Sequence, residues 1–411
     1  MQAEKKLRIL VVSQYFWPES FIMNDIVRHL CEKGHEVVVA TGKPNYPDGE
    51  IYPGYTSSGV KFESYLDKVK VIRVPLCARG RGGALGLILN YFSFVFFGLL
   101  LFPWLLRGRE FDNIFVFSPS PITQVIPAIP LKYLKRAHLS VWIQDLWPDS
   151  LSATGFIQNR FALKAVGLMV KLIYASCDTL FVQSLAFVDA VAQYARREKI
   201  IYYPNSYDVS GVVGGAPISD DFGKILDKNF CVVFAGNLGT AQALGTLVSA
   251  AVRLREISNI RLVLVGSGSR LNWLQEQKDL HRLNNLILPG RYPGSAMPSI
   301  FARADVLLVS LNRDDIFSLT IPSKLQAYLA AGKPIIASLD GEGARILHEA
   351  EAGLSCPAEQ VEPLVEAIMK MYSLSEDERE LMGLRGRQYF EKNFDMSTQV
   401  DWLIKKLVDS K

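Results

Sequence analysis

The sequence is poor in the residues that build metal centres. It has five cysteines, Cys31, Cys77, Cys177, Cys231 and Cys356, scattered and without a CxxC pair. Neither a zinc cluster nor a disulfide framework is indicated, and a reducing compartment suits the chain. The five histidines never stand at ligand spacing from one another, which argues against a His-built metal site. Glycine has no period, and 30 Gly with 20 Pro in 411 residues that are 49% hydrophobic exclude collagen-like and disordered chains. No basic run is interleaved with aromatics, so nucleic acid is not an expected partner. A secretory leader is also not expected: the apolar run Ile9 to Val12 is too short for one, and Tyr15-Phe16-Trp17-Pro18 interrupts it.

What is present is length, apolar content and a strand–helix rhythm. A chain of 411 residues exceeds what one core usually organises, so two domains are expected. Residues 1–205 carry 23 basic against 16 acidic residues, +7, and the remainder 22 against 25, −3. A mildly basic first half could face anionic lipid or a phosphorylated substrate, and ordinary solvated surface accounts for the same numbers. Strand-like runs RILVV, HEVVVAT, NIFVF, VWIQD and TLFVQS alternate with helix-like stretches up to Tyr202-Tyr203-Pro204-Asn205. A linker over Gly211 to Gly223 then leads to a second series, CVVFAGNLG, RLVLVGSGS, NLILPG, DVLLVS and KPIIAS. The expected architecture is α/β, with two doubly wound, Rossmann-like parallel sheets facing across a cleft. Its parts are 1–205, 206–395, and a helix at 396–411 that packs back on the first domain.

One segment breaks the rhythm. Leu85 to Leu106 runs 22 residues without a charge, with Arg79 and Arg81 before it and Arg107 and Arg109 after it. Length alone makes it a membrane-span candidate. A single crossing would leave half of the first sheet on the wrong side of the membrane. An interfacial or re-entrant helix is therefore expected, with Pro103 kinking its end and Trp104 and the arginines at headgroup level. A buried core helix and a true span are the alternatives.

Loops at the strand ends carry the chemistry. Gly236-Asn237-Leu238-Gly239-Thr240 follows a strand and precedes a helix, which turns backbone N–H groups and a helix N-terminus toward a phosphate. The spacing is not a dinucleotide fingerprint, and GSGSR, beginning at Gly266, resembles one only weakly; a tight turn explains it equally. Further on, Thr320-Ile321-Pro322-Ser323-Lys324 opens another helix, with Pro322 in its first turn. A lysine gains nothing from the positive end of a helix, so Lys324 and nearby amides could converge on a diphosphate. A solubilising surface lysine is the plainer alternative.

Together GHEVVV, Pro204-Asn205, FAGNLG, LVLVGSGS, ADVLLVSL and PSKLQAYLAAGKPIIAS resemble a GT-B retaining glycosyltransferase of family 4, over nearly the whole chain. QYFWPE, KPNYPDGEIYPGY and IQDLWPDSL add a likeness to the bacterial N-acetyl-L-fucosamine transferases of polysaccharide assembly. The resemblance implies a hexosyltransferase at the cytoplasmic face of the inner membrane, peripheral or monotopic. It would take sugar from a UDP-sugar substrate to a polyprenyl-diphosphate-linked saccharide in O-antigen or capsule biosynthesis, with no cofactor and no metal. It also implies donor binding in the second domain by Gly236, Asn237, Leu238, Gly239, Gly266, Arg291, Ser318, Pro322, Ser323, Lys324 and Gln326. Asn45, Tyr46 and Trp147 would meet the acceptor, and Asp145 and Glu19 would orient or deprotonate its hydroxyl. Each of those two has a structural alternative, Asp145 as a turn cap and Glu19 at a helix start.

Departures from the family pattern bear on this. Its two glutamates eight residues apart align with Ser318 and Gln326, and its donor-neutralising arginine and lysine with Asn237 and Gln242. Charge neutralisation then falls to Lys324, Arg291 and a helix N-terminus. The family histidine of the first domain is replaced by Trp142-Ile143-Gln144-Asp145, which leaves Asp145 as the polar group there. Two rival classes stay open: a non-catalytic binder of lipid-linked sugar, suggested by Ser318 and Gln326, and a UDP-sugar epimerase-like enzyme. A dehydrogenase would need its cofactor at GSGSR.

Overall fold

Runs of Val, Ile, Leu and Phe bounded by Gly, Pro and Asn become strands buried on both faces, the hallmark of parallel sheets covered by crossover helices. The computed structural model describes residues 6–80, 83–209 and 216–409. Residues 1–5, Arg81 and positions 211–215 of the expected linker lie outside the described residues. Two compact units result: Met1–Pro204 with Gln399–Lys411, and Asn205–Thr398.

The first unit runs β1 Arg8–Ser13, α1 Ile22–Glu32, β2 Glu36–Thr41, β3 Lys61–Tyr65, β4 Val69–Arg73, α2 Ala84–Leu105, β5 Asn113–Ser118, α3 Ala128–Lys135 and β6 His138–Ile143. It continues with α4 Asp149–Ala153, α5 Arg160–Ser176, β7 Thr179–Val182, α6 Leu185–Ala192 and β8 Ile200–Tyr202. Its sheet has the order β3-β4-β2-β1-β5-β6-β7-β8. Leu10 stands beside Val38 of β2 and Ile114 of β5 in the parallel register. The expectation of parallel strands needs one correction: edge strand β3 runs antiparallel to β4.

The second unit contains α7 Asp220–Lys228, β9 Phe230–Ala235, α8 Leu244–Leu254, β10 Ile260–Val265, α9 Leu271–Leu280, β11 Leu286–Gly290, α10 Met297–Ala302 and β12 Val306–Ser310. It goes on through α11 Asp315–Leu319, α12 Ser323–Ala331, β13 Ile335–Ser338, α13 Glu342–Glu349, β14 Gly353–Cys356, α14 Val361–Ser373 and α15 Glu376–Asn393. The sheet order is β11-β10-β9-β12-β13-β14, all parallel. Helix α7 takes in Asp220 to Gly223, the end of the expected linker.

The last helix, α16 Met396–Asp409, returns the chain to the first unit. There Trp402 stacks on Tyr203 at 5.6 Å between ring centroids, and Asn113 Nδ2 donates to Leu407 O at 3.2 Å.

Candidate active site

In the second unit the carboxyl ends of β9 and β10 come together because neither carries a side chain there. Gly236 has φ +142° and Gly266 φ +146°, and a Cβ on Gly266 would stand 1.9 Å from the Gly236 carbonyl oxygen. Only glycine allows that approach. A cavity of about 640 Å³ opens beside these ends, lined among others by Gly236, Asn237, Gly266, Arg291, Lys324 and Tyr328. Ligands of such sheets bind at the carboxyl ends of the strands.

Lys324, near the start of α12, projects into this cavity. Its Nζ lies 3.7 Å above the Phe234 ring and close to Gly236, where an added Cβ would meet the lysine Cε at 2.5 Å. The ammonium is buried and has no hydrogen-bond partner among the described residues. Burial lowers its pKa from 10.5 to about 8. A largely desolvated cation left without a counter-ion is costly, and it marks a place prepared for an anion.

The glycine loop differs from its expected form. Gly236 N donates to Val265 O at 2.9 Å, Leu238 N to Ser267 O at 2.9 Å, and Gly239 N to the Gln242 side chain at 3.0 Å. Three of the four amides expected to cradle a phosphate are thus already bonded: two fasten the end of β9 to that of β10, and the third closes its own loop. Pro322 is the residue before α12, with ψ 133°, and not part of its first turn. Gln326 is 2% exposed, and its amide donates to Asn205 O at 2.6 Å, which turns it away from the cavity lining. Ser318 gives its hydroxyl to Asp315 O at 2.6 Å, and Ser323, the first residue of α12, is exposed. Asp314 caps α11 by accepting from Ile316 N and Phe317 N.

In the first unit Asp145 lies just past β6. It accepts from Trp147 Nε1 at 3.1 Å, with Ser120 and Ser150 nearby, while burial raises its pKa. Tyr91 of α2 is an electrostatic neighbour of both Tyr15 and Asp145, so Tyr15, Tyr91, Ser120 and Asp145 gather in one polar neighbourhood. Tyr46 joins the same neighbourhood: its ring lies 5.8 Å from Tyr15 and 5.3 Å from Phe21, with the Arg79 guanidinium 5.2 Å from it. Asn45 is fully buried and accepts from Asn90 Nδ2 at 3.1 Å. Glu19 is 1% exposed, and its carboxylate accepts from the amides of Phe16 at 3.1 Å and of Asn45 and Tyr46 at 2.8 Å. That is the geometry of a loop anchor.

Sequence reasoning missed Tyr15, Arg79, Asn90, Tyr91 and Ser120. One signal was available: Asn90 and Ser93 are the polar positions of an otherwise apolar run, and both are buried. Among the described residues no group of three or more His, Cys, Asp or Glu could hold a metal ion.

Residues 21–206 match the domain family described as "Glycosyl transferase 4-like domain", and residues 218–389 match "Glycosyl transferases group 1". A protein of Escherichia coli (strain K12) named "Putative colanic acid biosynthesis glycosyl transferase WcaI" is 25% identical over 79% of this chain and 82% of its own length. "Probable glycosyltransferase WbjE" of Pseudomonas aeruginosa is 24% identical over 64% of this chain and 66% of its own. The fold is that of an α,α-trehalose-phosphate synthase (UDP-forming) from Burkholderia vietnamiensis, with TM-score 0.71, 14% identity, and 98% and 97% of the two chains covered. Anabaena Alr3699/HepE, solved in complex with UDP, superposes with TM-score 0.67 at 14% identity over 98% and 100% of the chains.

Proposed function

From a chain of GT-B fold, made of a glycosyl transferase 4-like half followed by a group 1 half, we propose a hexosyltransferase of bacterial polysaccharide assembly that uses a UDP-sugar. The observation that carries the reading is Lys324, a buried ammonium with no hydrogen-bond partner among the described residues, in the cavity where β9 and β10 end. A nucleotide diphosphate leaving group gains negative charge as the glycosidic bond breaks through an oxocarbenium-like transition state. Lys324 meets that charge, Arg291 adds a second cation, and no divalent ion is assigned a part. The names of the two sequence relatives and the UDP bound to the Anabaena protein support a nucleotide-sugar donor in a polysaccharide pathway.

The finer reading follows the motifs. The donor sugar is N-acetyl-L-fucosamine, and transfer retains its anomeric configuration. The acceptor is a polyprenyl-diphosphate-linked saccharide in O-antigen or capsule biosynthesis, met on the side of Tyr46, Asn45 and Trp147. Asp145, a better base for its raised pKa, orients the acceptor hydroxyl and accepts its proton. Helix α2 keeps the enzyme on the cytoplasmic face of the inner membrane, where such an acceptor is found. Its apolar window has mean hydropathy 2.2 and is only 22% buried.

Thermal stability with UDP, GDP, dTDP and NAD tests the donor site. Ligand at one hundred times its dissociation constant adds about 2.7 kcal/mol. Selective stabilisation by UDP that Lys324→Ala abolishes is the expected result; stabilisation by NAD, or by no nucleotide, overturns it. The positions of Ser318 and Gln326 favour one rival, a binder without turnover. Release of UDP on addition of lipid-linked acceptor separates the two.

A further inference from the structure

The connections β4→β5, β5→β6, β6→β7 and β7→β8 all step in one direction across the first sheet. Right-handed crossovers therefore lay α2, α3, α5 and α6 on a single face. Side-chain contacts fix the order. Lys135 of α3 donates to Leu106 O at 2.6 Å and Arg109 O at 3.0 Å, just past the end of α2. Lys132 of α3 donates to Ser176 O at 3.0 Å, the end of α5. Helix α3 thus sits between α2 and α5. Gly98 seats α2 against Pro127, where a Cβ would come within 2.8 Å of the proline ring. The buried residues of α2, Asn90, Ser93, Phe94, Gly98 and Phe102, form a stripe along most of its length, so the helix lies along the unit and does not stand out from it.

The outer side of this layer is apolar beyond α2. On α2, Phe92 is 72% exposed; on α3, Leu134 is 63%; on α5, Phe161, Leu168 and Leu172 are 83%, 61% and 62% exposed. The α5 residues are spaced seven and four apart and share one stripe. Monomeric soluble proteins rarely leave so continuous an apolar surface in water. The three helices contain Lys132, Lys135, Arg160, Lys164 and Lys171 and no Asp or Glu. Beside the C-terminal end of α5 lies a cavity of about 580 Å³ whose lining includes Lys171, Arg196 and Lys199 and no carboxylate.

We propose that α2, α3 and α5 form one docking face that lies flat on an anionic phospholipid bilayer. In this arrangement α5 is a second anchor, and the basic cavity beside it takes a headgroup phosphate. Apolar side chains then enter the acyl boundary while the exposed Arg160, Lys164, Lys171 and Arg196 meet the anionic headgroups. A second copy of this chain would bring the same basic residues against themselves. The inference extends the membrane contact assigned to α2 and is independent of the donor site.

Co-sedimentation of the full chain with vesicles of phosphatidylcholine, and of phosphatidylcholine mixed with phosphatidylglycerol, tests it. Wild type binds the mixed vesicles more tightly, and added salt weakens that binding. Leu168→Ser/Leu172→Ser weakens binding to both vesicles about tenfold or more. Lys171→Gln/Arg196→Gln weakens binding to the mixed vesicles alone, again about tenfold. These substitutions are at exposed positions, and unchanged melting temperatures check that the fold survives. Equal binding of wild type to both vesicles overturns the proposal, as does a dimer in solution that the leucine substitutions dissolve. Phe92→Ser/Phe96→Ser separates it from the parent reading. Loss of binding there, with none from the α5 substitutions, keeps the α2 anchor and overturns the wider face. Retention by both overturns both.

Discussion

Lys324 combines a stability penalty with a binding role, and the two separate by experiment. Its ammonium pays desolvation without a partner, so its pKa falls from 10.5 to about 8. Folding then expels a proton that the unfolded chain holds between those values, and the free protein gains stability as pH rises from about 8 toward 10.5. Anion binding runs the other way: affinity for UDP falls as pH climbs through about 8, where the cation is lost. Titration calorimetry across that range checks this, with Lys324→Met showing a flat, weak profile. The same variant is expected to melt higher than wild type without ligand, by about 1–3 kcal/mol at pH 7, because the buried charge is gone. Destabilisation of the free protein by Lys324→Met would mean that the ammonium has a partner in solution. Glu19 and Asp145 divide similarly. Glu19→Gln turns one of the two oxygens that accept from three backbone amides into an NH2 donor, and is expected to cost about 2–3 kcal/mol in urea unfolding, with kcat per folded molecule nearly unchanged. Asp145→Asn is expected to leave stability within about 1 kcal/mol and to lower kcat by about a hundredfold. The residue types and their nearest partners were legible in QYFWPE and IQDLWPDSL, but the amides of Asn45 and Tyr46 that mark Glu19 as an anchor come from a separate segment.

At the scale of elements, the donor cavity depends on two strand ends that interlock. Gly266→Ala would drive a methyl into the Gly236 carbonyl at a φ of +146° that L side chains rarely adopt. It is expected to destabilise the second unit by more than about 2 kcal/mol and to abolish stabilisation by UDP, whereas Gly245→Ala, with open space around it in α8, is expected to be harmless or stabilising. Differential scanning fluorimetry with and without UDP reads both. FAGNLG and VGSGS announced loops at strand ends, but which amides remain free depends on β9 lying beside β10, and the local sequence does not carry that. The β3–β4 hairpin was missed for a different reason. Its turn places Leu66 and Asp67, not Asn-Gly or Asp-Gly, at positive φ of 52° and 56°, so the usual turn signal is absent. For α2 the sequence supplied apolar length, and the buried stripe that fastens it to the sheet emerges only once Asn90 is seen bonded to Gln14 at 2.6 Å and to Cys77 O at 2.6 Å.

Over the whole molecule, the first unit is discontinuous in sequence: Met1–Pro204 is completed by Gln399–Lys411. Length and position suggested a closing helix, but its seat was not legible, because Trp402 and Leu407 find partners some two hundred or more residues earlier in the chain. Leu403 and Leu407 are fully buried, Trp402 lies over Tyr203 and Phe181, and Lys33 pairs with Asp401 at 2.7 Å. Leu407→Ala opens a cavity beside β5 and is expected to cost about 2–4 kcal/mol. If the C-terminal segment belongs energetically to the first unit, that loss is local. Hydrogen exchange of β1, β5 and β7 then accelerates, while β9, β10 and β12 keep their protection and UDP still stabilises the second unit. Equal acceleration in both sheets would show that α16 couples the stability of the two units. Leu407→Ala would then also weaken the stabilisation by UDP.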